Sequence, residues 1–184
     1  MEDVISDAKE RMKKSVLSLQ DDFNTIRTGR ASASLFDKVR VEYYGTPTPL
    51  NQLATISIPE ARLVVIQPWD PTVLGEIEKA IQKSELSLNP NNDGKVIRIN
   101  IPPLTEERRK EYVKVAKNMA EQARIAVRNI RRDANEHLKK RQKDGDITED
   151  QEKRAMDKIQ EMTDKNIEKI DQLLEEKENE IMEI

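Results

Sequence analysis

Four arginines lie close together in the segment 124–141, which reads RIAVRNIRRDANEHLKKR. At about 100° per residue, a helix carries Arg124, Arg128, Arg131 and Arg132 on one face. The planar guanidinium group of arginine pairs with phosphate through two parallel hydrogen bonds and stacks on nucleobases. The pattern therefore predicts a basic helix face whose chemistry suits a nucleic-acid backbone.

Lysines extend this basic face in both directions, at Lys110, Lys114, Lys117 and Lys139. The segment 105–143 has thirteen Lys and Arg against six Asp and Glu, whereas 147–184 has six against thirteen. Such a face could neutralise phosphates and release counterions. It could equally solvate the outside of a helical bundle and pair with the acidic segment. The residues alone leave both interpretations open.

If the partner is a nucleic acid, folded RNA fits better than a specific DNA sequence. The chain shows no helix-turn-helix, zinc-finger or basic-zipper pattern. Recognition of an RNA shape needs only charge placed along a surface. If the basic face binds a nucleic acid, we therefore expect RNA rather than DNA as its partner.

Catalytic and metal-binding patterns are not found in the chain. It has no cysteine and one histidine, and no P-loop, G-x-G-x-x-G or G-x-S-x-G motif. His137 lies toward the apolar side of its helix and is predicted to pack there, and Trp69 is predicted to pack in the core of the central segment. We expect no enzymatic activity, no metal site and no cofactor.

Apolar residues recur at helical spacing in three segments. The first runs from Val4 to Ile26 and is expected to end near Gly29. The third begins with the capping-box pattern TEDQ at 148–151, and its stripe is interrupted by Lys177. The second begins after a capping Thr105, ends before Gly145, and has the predicted core residues Val115, Met119, Ala123, Ile130, Ala134 and Leu138. Three such stripes predict an elongated three-helix bundle.

The central segment has a different composition. All eight prolines lie between Pro47 and Pro103. The stretches KVRVEYY, ISI, RLVVIQ and KVIRINI are typical of strands, and one helix is expected after Asp70 and Pro71. The sequence thus predicts an α+β fold, with a bundle of residues 1–30 and 104–184 and an inserted small α/β domain of residues 31–103.

An inserted domain is joined to its host by two connections. The positions predicted for them are Gly29, Arg30 and Ala31 on one side, and Pro102, Pro103 and Leu104 on the other. Two connections restrict motion more than one tether does, yet they still permit hinge bending. An articulated hinge is therefore expected at these six residues.

The expected location is the cytoplasm. The first residues, MEDVISDAKE, have neither the basic start nor the apolar run of a signal peptide. No stretch approaches the roughly 20 apolar residues that span a bilayer. These features predict a soluble cytoplasmic protein.

Five segments together resemble the bacterial ribosome recycling factor family: VRNIRRDAN, IRTGRAS, VEYYGTPTPL, LNPNNDGKVIRI and PPLTEERRK. The resemblance covers essentially the whole chain in order. It implies an L-shaped monomer of two domains that binds the large ribosomal subunit across the tRNA sites after termination. It also implies that the protein acts with the GTPase elongation factor G to separate the subunits.

The resemblance also suggests which residues contact ribosomal RNA. The RNA contacts known in the family correspond most directly to Arg128 and Arg131 of this chain, and Arg132 lies beside them in the sequence. Arg27 and Arg30 in IRTGR would be secondary contacts, although local capping or packing explains them equally well. Lys117 and Arg124 belong to the same predicted RNA-binding set because they share the basic face. The alternative function is that of a coiled-coil scaffold or chaperone that binds proteins through its charged helices.

Overall fold

The structure is a computed structural model that describes residues 1–183, and it divides into two compact units. The bundle consists of residues 1–28 and the chain from Thr105 onwards, and the insert is Gly29–Leu104. The helices are α1 (Glu2–Asn24), α2 (Leu74–Lys83), α3 (Glu106–Lys143) and α4 (Glu149–Met182). The strands are β1 (Arg40–Tyr43), β2 (Thr46–Pro49), β3 (Ala54–Glu60), β4 (Leu63–Pro68), β5 (Pro90–Asn92) and β6 (Ile97–Asn100).

The bundle is formed by α1, α3 and α4, each of which packs against the other two. Long helices of this kind and a small sheet domain with one short α-helix confirm the predicted α+β fold. No helix within residues 1–183 combines the length and the apolar composition that crossing a membrane requires.

Side-chain caps define where α3 and α4 begin. The Thr105 hydroxyl accepts a hydrogen bond from the Arg108 amide at 3.2 Å. At the start of α4, Thr148 accepts from the Gln151 amide at 3.1 Å, while the Gln151 side chain accepts from the Thr148 amide at 2.9 Å. Both starts agree with the sequence prediction. The predicted end of α1 near Gly29 was wrong, because the helix ends at Asn24 and the Thr25 hydroxyl donates to the Asp22 carbonyl.

The buried face of α3 is narrow and rich in alanine, which lets α1 and α4 approach it closely. Two expectations for this helix were wrong: Val115 is 42% exposed, and His137 is exposed rather than packed. Both lie outside the face that the two neighbouring helices cover. The residues that α3 buries are Ala116, Ala120, Ala123, Val127, Ile130, Ala134 and Leu138.

Polar side chains within the buried stripe of α4 have hydrogen-bond partners. The Thr163 hydroxyl donates to the Ile159 carbonyl at 2.8 Å. Lys177, which is only 9% exposed, donates to the Glu180 carboxylate at 3.1 Å. Because each group keeps a partner, the interruption at Lys177 is compatible with a packed helix.

The insert contains a four-stranded antiparallel sheet in the order β3-β4-β6-β5 and a separate hairpin of β1 and β2. Strands β2 and β5 were not predicted, since they carry the sequences TPTP and PNN. Each pairs with a single neighbour, so its prolines lie on edge strands where a missing amide donor is tolerated. Fully buried residues of its core include Val41, Val64, Ile66, Ile77, Ile81, Ile97 and Ile99.

The two ends of the insert are fastened to the same turn, between β3 and β4. The Ala31 amide donates to the Ala61 carbonyl at 2.7 Å, and the Ile101 amide donates to the Arg62 carbonyl at 2.8 Å. Gly29 adopts a φ of +76°, and a β-carbon there would lie 3.5 Å from Cγ of Leu104. The chain therefore enters and leaves the insert at adjacent points. Bending at the six predicted hinge residues stays a prediction.

An ion pair joins α1 to the last turn of α3. The Asp3 carboxylate accepts hydrogen bonds from both terminal nitrogens of Arg141. This guanidinium first, and the N-terminal ammonium second, hold the pKa of Asp3 well below its ordinary value. A carboxyl group with a lower pKa in the folded than in the unfolded state stabilises the fold above its unfolded-state pKa. That contribution is lost as the pH falls through the folded-state pKa.

We therefore expect Asp3→Asn to lower the melting temperature slightly at neutral pH. The difference from the unsubstituted chain should shrink progressively below about pH 4, where unfolded aspartate becomes protonated. Calorimetry across this range measures the effect. Asp21→Asn, at an exposed carboxylate of the same helix, is the control; a difference for Asp3→Asn that does not depend on pH would contradict the interpretation.

Candidate nucleic-acid interface

Arg124 lies at the seam between α3 and α4 rather than on an open surface. Its side chain is 19% exposed, and Nη2 lies 2.7 Å from the Asp171 carboxylate. Nη1 also donates to Glu121 at 3.0 Å. Burial alone would lower the pKa of Arg124, but the hydrogen bonds to Asp171 and Glu121 raise it above its ordinary value. Both carboxylates thus compensate the charge of Arg124 within the bundle.

Arg124 belongs to a row of contacts between α3 and α4, which we call the ladder. Lys117 lies 4.0 Å from Glu178, and Arg131 donates to the side-chain oxygen of Gln160 at 3.3 Å. The positions 117, 124 and 131 are seven residues apart, so they return to the same side of α3. The ladder agrees with the interpretation in which the basic residues of α3 pair with the acidic third helix of the bundle, α4.

Other cations on α3 lie further from α4 and form an outer row. Arg132 is exposed, and within residues 1–183 no acidic group lies within ion-pair distance of it. Arg128 is 39% exposed, and its only ion pair in this part of the chain is with Glu121 at 3.3 Å. Lys114 and Lys139 are also exposed. The outer row thus holds positive charge that the described part of the chain compensates only in part.

Glu121 links the ladder to the outer row. One of its oxygens meets Arg124 at 3.0 Å and the other meets Arg128 at 3.3 Å. The hydrogen bond from Arg124, followed by that from Arg128, lowers the pKa of Glu121 below its ordinary value. One carboxylate therefore orients two guanidinium groups but compensates only one charge, which leaves Arg128 available to an anionic partner.

The seven predicted RNA-binding residues thus differ in their structural surroundings. Lys117 and Arg124 are engaged in the ladder, while Arg128 and Arg132 belong to the outer row. Arg131 bonds only to a neutral amide, so its charge is not compensated there. Arg27 and Arg30 are exposed, but they belong to different units, Arg27 to the bundle and Arg30 to the insert. Contact of any of the seven with RNA stays a prediction.

Two exposed aromatic residues of the insert were not foreseen from the sequence. Trp69 was expected to pack in the core, yet it is 64% exposed, and its indole nitrogen donates to the Thr55 hydroxyl at 2.9 Å. Tyr44 is 84% exposed. Its position directly before Gly45 was a sequence signal for a tight turn. Within residues 1–183 no group of His, Asp or Glu could hold a metal ion.

Comparison with known proteins gives matches over the full chain. The sequence model of the family described as "Ribosome recycling factor" matches residues 19–182. The ribosome-recycling factor of Treponema denticola is 61% identical over 183 residues, with 100% of this chain and 99% of that protein covered. The protein of the same name from Syntrophomonas wolfei subsp. wolfei is 57% identical over 184 residues, with 100% of both covered.

Solved structures show the same similarity. A solution structure of the ribosome recycling factor matches with a TM-score of 0.78 at 46% identity, covering 100% of this chain and 97% of the other. A second match has a TM-score of 0.66 at 48% identity and covers 98% of both chains. It comes from models for the T. thermophilus ribosome recycling factor and the E. coli elongation factor G bound to the E. coli post-termination complex.

The ladder and the outer row should respond differently to loss of charge. Arg124→Met removes the partner of Asp171, so we expect it to destabilise the chain by about 1 kcal/mol. This corresponds to a fall in melting temperature of about 2–4 °C for a chain of this size. Arg132→Met is the matched control on the same helix and should leave the melting temperature unchanged. If both variants lower the melting temperature equally in thermal denaturation, the ladder and the outer row do not differ in their contribution to stability.

Proposed function

Since the chain belongs to the ribosome recycling factor family, we propose that it acts on the post-termination ribosome together with elongation factor G. The outcome is separation of the ribosome into subunits for a new round of translation. The observation that carries this proposal is similarity over the full length, including a structure from a post-termination complex that contains elongation factor G. The chain is a translation factor and not an enzyme, so the energy for separation comes from the GTPase. A protein-binding scaffold, the alternative expected from the charged helices, would not account for this similarity.

Within this function, the outer row is the part of the bundle that we propose to contact large-subunit RNA. Arg132 brings an exposed guanidinium that no acidic group within residues 1–183 neutralises. Near it on α3, Arg128 shares the Glu121 carboxylate with Arg124, and Arg131 bonds to the neutral side chain of Gln160. Each phosphate that these side chains neutralise would release counterions and strengthen binding. Because guanidinium groups also pair bidentately with phosphate, the row can fix the orientation of the bundle on RNA.

The ladder contributes to this contact indirectly. Its bonds to Asp171 and Gln160 hold α3 against α4, so the outer row lies on a helix that is fixed within the bundle. We therefore propose that Lys117 and Arg124 have a mainly structural role, in contrast to their place in the predicted RNA-binding set. Arg27 and Arg30 remain candidates for a second RNA contact near the junction with the insert.

Charge reversal at Arg132 tests the RNA contact. Arg132→Glu removes a charge-assisted contact and adds repulsion, so we expect affinity for purified large subunits to fall by about 1–3 kcal/mol. The slope of log affinity against log salt concentration should become shallower by about 1. Sedimentation binding at several salt concentrations measures both quantities, and circular dichroism should show unchanged helix content.

The control for this experiment lies on another helix of the same unit. Lys13→Glu changes an exposed charge on α1, outside the outer row, and should alter subunit affinity less than Arg132→Glu. If the two variants bind alike, net charge alone explains the binding and the proposed interface is wrong.

Removal of the insert separates binding from subunit separation. The insert has its own core, and its two ends lie side by side at Gly29 and Leu104. A short Gly/Ser linker in place of residues 32–101 should therefore let the bundle fold. We expect this shortened chain to bind large subunits but not to separate ribosomes with elongation factor G. Co-sedimentation and light scattering on one preparation measure the two activities.

The outcomes of that experiment contradict different parts of the account. A folded bundle that separates ribosomes at the rate of the full chain would show that the insert does not transmit the action of the GTPase. A folded bundle that fails to bind large subunits would show that the RNA contact does not lie on the bundle.

A further inference from the structure

The hairpin of β1 and β2 ends in a two-residue turn that places a tyrosine in an unfavourable backbone conformation. Tyr43 pairs with Thr46 across the hairpin, so Tyr44 and Gly45 form the turn. Their φ angles are +48° and +76°. A turn of this kind needs positive φ at both positions and favours Asn-Gly. Glycine adopts this conformation without strain, whereas a bulky residue such as Tyr44 is an outlier.

The insert gains little from the side chain of Tyr44 in return for this strain. The residue is 84% exposed, the largest exposed fraction among the large hydrophobic residues that the structure describes as exposed. Its ring forms an edge-to-face pair with the neighbouring Tyr43 ring, with the centroids 4.6 Å apart and the planes at 74°. A strained backbone that holds a large apolar side chain in solvent is typical of a functional position.

The charges of the hairpin indicate what Tyr44 meets. The hairpin has two charged residues, Arg40 at the start of β1 and Glu42, which are both exposed and of opposite sign; from Tyr43 to Pro49 it has none. Surfaces that bind single-stranded nucleic acid combine aromatic side chains with a positively charged groove. Since one cation and one carboxylate leave this hairpin without net charge, it does not offer the positively charged groove that phosphates require. A protein surface is the partner that suits an uncharged aromatic tip.

We propose that Tyr44 is a docking residue that inserts its ring into an apolar cleft on a protein partner. A tyrosine suits this role because it provides a large contact area with few rotatable bonds and keeps a hydroxyl group for a hydrogen bond. The turn conformation holds the ring out from the sheet before the partner arrives, which reduces the entropy lost on binding. The inference rests on the proposed function only in that the post-termination complex supplies the partner.

We expect substitution at Tyr44 to preserve the melting temperature and to reduce the rate of ribosome separation. Asparagine tolerates positive φ, so Tyr44→Asn should keep or raise the melting temperature. The same variant should reduce the rate of ribosome separation with elongation factor G by about tenfold or more at limiting protein concentration. Tyr44→Phe, which keeps the ring and loses only the hydroxyl, should be less impaired. Arg132→Glu provides the contrast, because its loss should appear in large-subunit affinity, which Tyr44→Asn should leave unchanged.

Two results would overturn the proposal. A melting temperature several degrees lower for Tyr44→Asn would show that the ring supports the fold. An unchanged separation rate, measured where the unsubstituted chain is active, would show that the ring has no partner. If the unsubstituted chain itself does not separate ribosomes, the proposed function is wrong. The docking role of Tyr44 is then tested by cross-linking from position 44.

Cross-linking identifies the class of partner directly. A benzophenone amino acid at position 44 is irradiated in purified post-termination complexes with elongation factor G, and the products are analysed by mass spectrometry. We expect a cross-link to a protein. The control carries the same group at Lys79, an exposed position on α2. A cross-link to RNA at position 44, or a yield no higher than at position 79, would overturn the proposal.

Discussion

The register between α3 and α4 is the constraint on which the basic face depends. Lys117 meets Glu178 and Arg124 meets Asp171, so one side of α3 is held against the acidic helix at intervals of seven residues. The alanine-rich buried face of α3 allows this close packing, and α1 covers the rest of it. Arg128 and Arg132 are left on the adjoining side, where Glu121 is the one counter-charge that residues 1–183 supply. The ion-paired interpretation therefore holds for one row of this helix, and RNA binding stays our proposal for the other.

Much of this architecture could be predicted from the sequence because it depends on local patterns. The caps at Thr105 and Thr148 and the apolar stripes of the bundle are short-range signals. Strands β2 and β5 were missed because their prolines and asparagines oppose strand formation, and only pairing with β1 and β6 makes them strands. His137 and Val115 were misplaced because the orientation of the buried face depends on two neighbouring helices that a helical wheel does not include.

The candidate site shows the same limit. A helical wheel places Arg124 and Arg132 on one face and cannot show that only Arg124 is paired with α4. The partner of Arg124 is Asp171, which lies 47 residues further along the chain. The exposure of Trp69 could not be predicted from the sequence either, because tryptophan is highly buried on average. Its hydrogen bond to Thr55 instead fixes the ring at the edge of the sheet. Candidate functional residues in this chain are thus recognised by what the fold leaves exposed or uncompensated.

Chemical footprinting of large-subunit RNA is the most direct test of the central claim, that the outer row on α3 holds the protein on the ribosome. Probing with and without the chain should show protection confined to the tRNA-binding region. At equal occupancy, Arg132→Met should lose part of this protection at specific nucleotides, whereas Arg124→Met should retain the full pattern. Protection spread over the subunit, or lost equally in both variants, would contradict the account.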